Sequence, residues 1–249
     1  MDQQLLRIIA DFYKDLPRQG PGSTRATKWA LSRITEMSTI KRVLDIGCGT
    51  GAQTLVLGEE TGAKVDALDR VPDFLEVLKE QSKKNELTHL IQVHLAEMDK
   101  MPFEPETYDL IWSEGAIYNM GFTYGLKNWQ SLLKPGGFMV VSEISWTTQD
   151  RPKDLTDYWN KNYPEMDMVS AKVKLMEMMG YSSVGAIALP EVGWRNYYEP
   201  LSKKIESIGQ TDNALLKDFL EQLKKEIEIY KQYNQYYNYF FYIMRKPLK

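Results

Sequence analysis

The chain has 249 residues, of which 43% are hydrophobic and 26% charged, a composition typical of one soluble globular domain. Its net charge of −3 argues against nucleic acid as the main partner, because phosphate binding requires a basic surface. The single cysteine excludes an intramolecular disulfide, and neither a membrane span nor a signal peptide is evident, so we predict a cytoplasmic protein with no membrane partner.

The first part of the chain alternates between helical and strand patterns. The predicted elements, in chain order, are helices over 5–12 and 25–36, a strand at 41–46, a helix at 52–58, a strand at 64–69, a helix at 72–84, strands at 90–94 and 108–113, a helix at 122–133 and a strand at 138–144. Such alternation is typical of a parallel, doubly wound α/β sheet.

The second part of the chain has a different pattern. Residues 151–180 and most of 194–233 read as helical, 184–189 as a strand and 236–244 as a final, aromatic strand. No linker, repeat or boundary separates the two parts, so we predict one domain over 1–249.

A glycine-rich turn follows the first strand. Residues 45–51 read Asp-Ile-Gly-Cys-Gly-Thr-Gly and lead into a helix, the place where an α/β sheet presents bare backbone to a ligand. Asp45 repels a pyrophosphate and suits a cationic or hydroxyl-rich ligand. Two alternatives remain: Gly47-x-Gly49-x-x-Ala52 also fits the relaxed dinucleotide fingerprint, and the turn by itself needs no ligand.

Two acidic residues follow the next strands. Asp69 ends the second strand, where a carboxylate accepts hydrogen bonds from ribose hydroxyls in nucleotide-binding folds. Glu97 follows the third strand and suits the exocyclic amine of an adenine, with Arg70 and Met98 flanking the ring. The alternative for each acid is an ordinary solvated loop residue.

These motifs, with Leu-Lys-Pro-Gly-Gly at 133–137, resemble the class I S-adenosylmethionine-dependent methyltransferases over residues 40–145. The nearest likeness is to the ubiquinone/menaquinone-biosynthesis and small-molecule branch. The resemblance implies a Rossmann-like, doubly wound, seven-stranded sheet whose last strand is antiparallel and lies beside the fifth. It also implies an N-terminal helical lid (1–38), a cofactor-binding core (40–146), and helical insertions with the last two strands (147–249).

The resemblance also implies the cofactor, S-adenosyl-L-methionine, which leaves as S-adenosyl-L-homocysteine. Asp45 and the turn would then hold the methionine portion, Asp69 the ribose and Glu97 the adenine, although the family more often has aspartate where Glu97 stands. The predicted cofactor-binding residues are Asp45, Gly47, Cys48, Gly49, Thr50, Asp69, Arg70, Glu97, Met98, Glu114, Gln19 and Gly20.

The segment after the fourth strand lies where the strand order of such a sheet reverses, so its side chains should face the ligand. Glu114 would contact the cofactor, or bind or deprotonate the acceptor; the alternative is helix capping by Ser113 and Glu114. A base is needed only if the acceptor must lose a proton. The predicted catalytic residues are Glu114, Tyr118 and Tyr13, and the predicted substrate-binding residues are Tyr13, Tyr118, Asn119, Trp146, Trp194 and Tyr197.

The sequence thus predicts a methyltransferase acting on a small molecule that the sequence does not identify. Core packing is the alternative for each aromatic residue, and filling a turn is the simpler role for Cys48. One cysteine argues against arsenic methylation, and the two histidines match no metal spacing. The rival functions are an NAD-dependent oxidoreductase, which requires a second mononucleotide-binding half, and a non-catalytic cofactor sensor. The oligomeric state is left open.

Overall fold

The computed structural model describes residues 3–248. Its α-helices within those residues are α1 (Gln3–Tyr13), α2 (Thr24–Leu31), α3 (Ala52–Thr61), α4 (Pro72–Lys84), α5 (Phe122–Trp129), α6 (Lys153–Asn162), α7 (Val169–Met178), α8 (Glu191–Ile208) and α9 (Ala214–Tyr233). Its strands are β1 (Arg42–Ile46), β2 (Lys64–Asp69), β3 (Ile91–Leu95), β4 (Tyr108–Glu114), β5 (Leu133–Trp146), β6 (Ser182–Ala188) and β7 (Tyr237–Arg245).

The strands form one seven-stranded sheet in the order β3-β2-β1-β4-β5-β7-β6. The pairs from β3 to β5 are parallel, whereas β7 runs antiparallel to both β5 and β6. The prediction of a doubly wound sheet with an antiparallel last strand beside the fifth is therefore confirmed. The strand order reverses between β1 and β4, and the crevice beyond their carboxyl ends is where such sheets bind ligands.

The sheet is buried on both faces. Along β5, Phe138 and Val140 join one apolar cluster, while Met139 and Val141 join the other, as the alternation of side chains along a strand requires. The first cluster also contains residues of α1, α8 and α9, so the N-terminal and inserted helices share one core with the sheet. Across residues 3–248, no helix is both long and apolar enough to cross a membrane.

Helix boundaries differ from the sequence prediction at several points. Ser23 caps α2 by accepting a hydrogen bond from the Ala26 N–H at 3.1 Å, and α2 ends at Leu31, five residues before the predicted end at 36. The helical stretch predicted at 151–180 is divided into α6 and α7 by the segment 163–168, and that at 194–233 is divided into α8 and α9. Gly209, with φ +65°, ends α8, and the Asn213 side chain caps α9.

Candidate active site

A cavity of about 980 Å³ opens at the carboxyl ends of the parallel strands. One part of its lining, which we call the strand wall, comes from the ends of β1 to β4: Gly47, Gly49, Asp69, Glu97 and Glu114. The other part, the aromatic wall, comes from α1, α6, α8, β7 and the segments after β4 and α6. Its members are Tyr13, Tyr118, Tyr158, Trp159, Tyr163, Trp194, Tyr197, Tyr198 and Tyr239.

The glycine turn lets a ligand approach the backbone closely, but its N–H groups already donate within the protein. The N–H groups of Gly47 and Cys48 donate to the Leu68 carbonyl at 2.8 and 3.0 Å, and the Gly49 N–H donates to Asp69 at 2.9 Å. Gly47 has a φ of +72°, and a Cβ placed on it would lie 2.4 Å from the Cβ of Ala116. A residue without a side chain is therefore required for the turn to line the cavity.

Asp45 lies behind the turn, with no exposed surface, and is not part of the cavity lining. Its carboxylate accepts hydrogen bonds from the Thr54 hydroxyl at 2.6 Å and the Gln53 amide at 3.3 Å. Burial, opposed by these bonds, raises its pKa to about 7. The structure thus gives Asp45 a supporting role beneath the turn, which differs from the predicted contact with the methionine portion.

We expect the Asp45→Asn variant to gain stability relative to the wild-type chain as the pH rises from 3.8 to about 7. The folded wild type holds a proton on Asp45 in this range while the unfolded chain has released it, so its free energy of unfolding falls with rising pH. Asparagine carries no such proton. Urea unfolding at several pH values measures this, with Asp157→Asn, an exposed change on α6, as the control. A pH-independent difference between Asp45→Asn and wild type would contradict the assignment.

Asp69 lies where the ribose prediction requires it, at the cavity surface. Its two carboxylate oxygens accept from the N–H groups of Gly49 and Val71, each at 2.9 Å. Burial raises its pKa, and these backbone bonds oppose that shift. Each oxygen keeps a lone pair, so the carboxylate remains able to accept further hydrogen bonds from a hydroxyl-bearing ligand.

The predicted adenine contacts also line the cavity. Arg70 and Glu97 form a partly exposed ion pair with 3.5 Å between their charged atoms, and Met98 also lines the cavity. The Met98 carbonyl accepts from the Trp129 indole at 3.0 Å, which fixes the backbone after β3. All three residues thus line one cavity, and their contact with an adenine stays a prediction.

The segment between α1 and α2 folds over the glycine turn. The Gln19 side-chain oxygen accepts from the Thr50 N–H at 2.9 Å and the Thr50 hydroxyl at 3.0 Å. Gln19 and Gly20 line the cavity, as does Cys48, which is buried in the turn. Thr50 itself lies outside the cavity, so the structure makes it a partner of Gln19 rather than a direct contact.

Glu114 ties the segments over the site to the sheet. Its side chain is only 4% exposed and accepts from Thr27 at 2.6 Å, Trp112 at 3.0 Å and Arg18 at 3.2 Å. Glu114 and Ser113 do not cap a helix. The next helical turn, 117–119, begins after Ala116, and the Ser113 hydroxyl donates to the Ile46 carbonyl. Three donors from two chain segments thus hold the Glu114 carboxylate in place.

Arg18, a cation that was not predicted from the sequence, lies between α1 and α2 and faces the strand wall. Its Nη1 pairs with Glu114, while its Nη2 is buried and has no hydrogen-bond partner among residues 3–248. Arg18 lines the cavity beside the glycine turn. A buried guanidinium nitrogen with nothing to donate to is suited to an anionic group of a ligand, such as a carboxylate.

Most of the predicted acceptor contacts lie on the cavity surface: Tyr13, Tyr118, Asn119, Trp194 and Tyr197. The Tyr13 and Tyr197 hydroxyls are 2.9 Å apart, which joins α1 to α8. Trp146 differs from its prediction, because it is 2% exposed, lies outside the cavity and stacks under the Arg151 guanidinium at 4.3 Å. Its place at the end of β5 turns it into the core.

Part of the aromatic wall and one acid beside it were not predicted from the sequence. The missed residues are Tyr158, Trp159, Tyr163, Tyr198, Tyr239 and Glu226. The tyrosine repetition in 236–244 was a usable signal, but it was assigned to a buried strand. Glu226 gave no signal, since it lies in a Lys- and Glu-rich helix in which most acids are solvated.

Comparison with known proteins decides the family. A family model described as "Methyltransferase domain" matches residues 38–204, about two thirds of the chain. The chain belongs to this methyltransferase family. The prediction of a class I methyltransferase, and of an enzyme, is thereby confirmed.

Similar proteins match this methyltransferase over different lengths of chain. An uncharacterized methyltransferase YodH from Bacillus subtilis is 25% identical over 217 residues, 86% of this chain and 88% of that protein. Demethylmenaquinone methyltransferase from Staphylococcus haemolyticus is 35% identical, but over 43% of this chain and 45% of its own length. The fold matches that of a SAM-dependent methyltransferase from Geobacter sulfurreducens in complex with S-adenosyl-L-homocysteine, with TM-score 0.82, 17% identity and coverage of 96% and 97%.

Proposed function

We propose that this methyltransferase uses S-adenosyl-L-methionine to methylate a small molecule bound against the aromatic wall. The observation that carries the proposal is that one cavity joins a carboxylate with free lone pairs, Asp69, to an unpartnered cationic nitrogen, Arg18 Nη2. The cofactor has matching groups, a ribose and a carboxylate. The Geobacter neighbour, whose structure contains the demethylated product of this cofactor, supports the assignment.

The residues of the strand wall fit that cofactor. Asp69 would accept from the ribose hydroxyls, and Arg18 would donate to the carboxylate. The glycine turn allows close approach, while Met98, Arg70 and Glu97 would surround the adenine. When bound, S-adenosylmethionine supplies a methyl group already activated by a positively charged sulfur.

The aromatic wall supports a small acceptor. A volume of about 980 Å³ for the whole cavity lies within the range of small-ligand sites, and helices α1, α6, α8 and α9 contribute to its lining. Exclusion of water and alignment of the acceptor are the main requirements for this displacement. Burial raises the pKa of Tyr13, so its hydroxyl stays protonated and acts as a hydrogen-bond donor rather than a base.

Label transfer tests the proposal. The purified protein is incubated with methyl-labelled S-adenosylmethionine and a size-fractionated bacterial extract, and the label is located by mass spectrometry. Label in a small metabolite is the expected result. Label in protein or nucleic acid would overturn the small-molecule acceptor, and cofactor binding without any labelled product would favour the rival role of a sensor. The cytoplasmic location stays a prediction.

We expect Asp69→Ala to weaken binding of S-adenosyl-L-homocysteine by about 5- to 150-fold, equivalent to ~1–3 kcal/mol for the loss of hydrogen bonds to a carboxylate. Isothermal calorimetry measures the affinity, and thermal unfolding confirms that the variant is folded. Asp73→Ala is the control, because Asp73 lies in the first turn of α4 outside the cavity. Equal affinities for Asp69→Ala and wild type would remove Asp69 from the site.

A further inference from the structure

Glu226 is an acid without a cationic partner at the wall of the cavity. It lies on α9, lines the cavity and accepts one hydrogen bond from the Tyr198 hydroxyl at 2.9 Å. Within residues 3–248 it forms no ion pair, and its surroundings raise its pKa by burial. A partly buried carboxylate with no cation beside it favours a ligand that brings one.

Glu226 reaches a cluster of aromatic rings through Tyr198. The Tyr198 ring lies 5.1 Å from that of Tyr197 and 5.7 Å from that of Trp194, which is 5.4 Å from Tyr239. These four rings and Glu226 all line the same cavity, so the rings and the acid belong to one surface.

The other charges of the cavity do not neutralise Glu226. Lys161 and Lys225 line the cavity but are exposed, and Lys225 is 3.8 Å from Glu228 on the outer face of α9. Arg18 is paired with Glu114, and Arg70 with Glu97, on the strand side of the cavity. Glu226 thus places a carboxylate beside electron-rich ring faces, and both features attract cations.

We propose that the aromatic wall and Glu226 bind an organic amine as its ammonium ion. The ammonium proton passes to the Glu226 carboxylate, the freed nitrogen lone pair takes the methyl group from sulfur, and S-adenosyl-L-homocysteine leaves. That the bound amine is methylated rests on the proposed function, whereas the ammonium site itself does not. An anionic acceptor would be repelled by Glu226, and a neutral one would leave its charge unbalanced. An ammonium group balances the carboxylate and gains cation–π attraction from the rings.

The test compares a cation with its neutral isostere. Choline and 3,3-dimethylbutan-1-ol have the same shape, with nitrogen in the first replaced by carbon in the second. Each is titrated calorimetrically into the full chain, with and without S-adenosyl-L-homocysteine. We expect wild type to bind choline about tenfold or more tightly than the neutral isostere, and Glu226→Gln to lose most of this preference. Glu228→Gln, an exposed change on the same helix, should keep it.

Three results would overturn the ammonium site: no binding of choline, equal affinity for the two probes, or an unchanged preference in Glu226→Gln. Thermal unfolding of each variant checks that the fold is retained, and Glu226→Asp, which keeps the charge, should retain part of the preference. The affinity for S-adenosyl-L-homocysteine reports separately on the proposed function. If the wild-type chain binds choline but not S-adenosyl-L-homocysteine, the result contradicts the proposed function and leaves the ammonium site standing.

Discussion

Replacing Gly47 with alanine is expected to lower the free energy of unfolding by about 2–5 kcal/mol. The left-handed backbone at φ +72° costs a residue with a side chain about 1–2 kcal/mol. The new methyl group would also lie 2.4 Å from the Cβ of Ala116, so the turn or the segment after β4 must shift, and such overpacking costs about 1–3 kcal/mol. The same shift should weaken binding of S-adenosyl-L-homocysteine, because Gly47 and Ala116 both line the cavity.

Gly62 offers a matched control for this prediction. It has a similar φ of +61°, but nothing lies within 4 Å of a Cβ placed there, at the end of α3. Gly62→Ala should therefore lower the free energy of unfolding only by the about 1–2 kcal/mol of the left-handed backbone, and it should leave cofactor affinity unchanged. Urea unfolding and calorimetry compare the two variants. If both lose the same stability and both keep wild-type affinity, the close contact with Ala116 has no functional consequence.

The sheet and the strand wall could be predicted from the sequence because they depend on local signals. A strand, a glycine turn and a helix follow one another in 41–58, and the carboxyl ends of parallel strands necessarily share one edge of the sheet. Asp69 and Glu97, each at a strand end, were therefore placed at the cavity before any contact was known. The rival NAD-dependent interpretation fails for a related reason, since an antiparallel β7 occupies the place of a second parallel half.

Contacts between distant segments could not be predicted in the same way. Glu114 belongs to the strand wall, but its partners Arg18 and Thr27 come from the N-terminal segment, 96 and 87 residues away. No local pattern shows that these donors occupy the carboxylate. Asp45 illustrates the same limit. A strand residue next to a glycine turn can point to either face of the sheet, and only the packing of α3 decides which face Asp45 takes.

The aromatic wall is the clearest case of assembly by tertiary structure. Its residues come from α1, α6, α8, β7 and the segments after β4 and α6, and core packing is the simpler reading of each aromatic residue in its own segment. The aromatic wall is therefore built by the parts of the chain with the weakest sequence signal, whereas the strand wall is built by the part with the strongest.

The largest single-residue effect on stability is expected at Lys172. It is 2% exposed, and its Nζ lies 3.3 Å from the fully buried carboxylate of Glu143 on β5. Lys172→Met would leave that carboxylate buried without a cation, and breaking such a pair costs about 3–5 kcal/mol. Removing the cation raises the pKa of Glu143 further above its usual value, so the loss of stability should grow as the pH rises through and above that usual value.

The double variant Glu143→Met with Lys172→Met tests the cause, because replacing both charges with apolar groups should recover most of the loss. Lys174→Met, an exposed change on the same helix, should be neutral. Urea unfolding at two pH values measures all three. Tyr163 donates to Glu143 and also lines the cavity, so the buried pair holds one ring of the aromatic wall in place. Lys172→Met should therefore weaken choline binding more than cofactor binding, whereas equal losses would show that the pair supports only the fold.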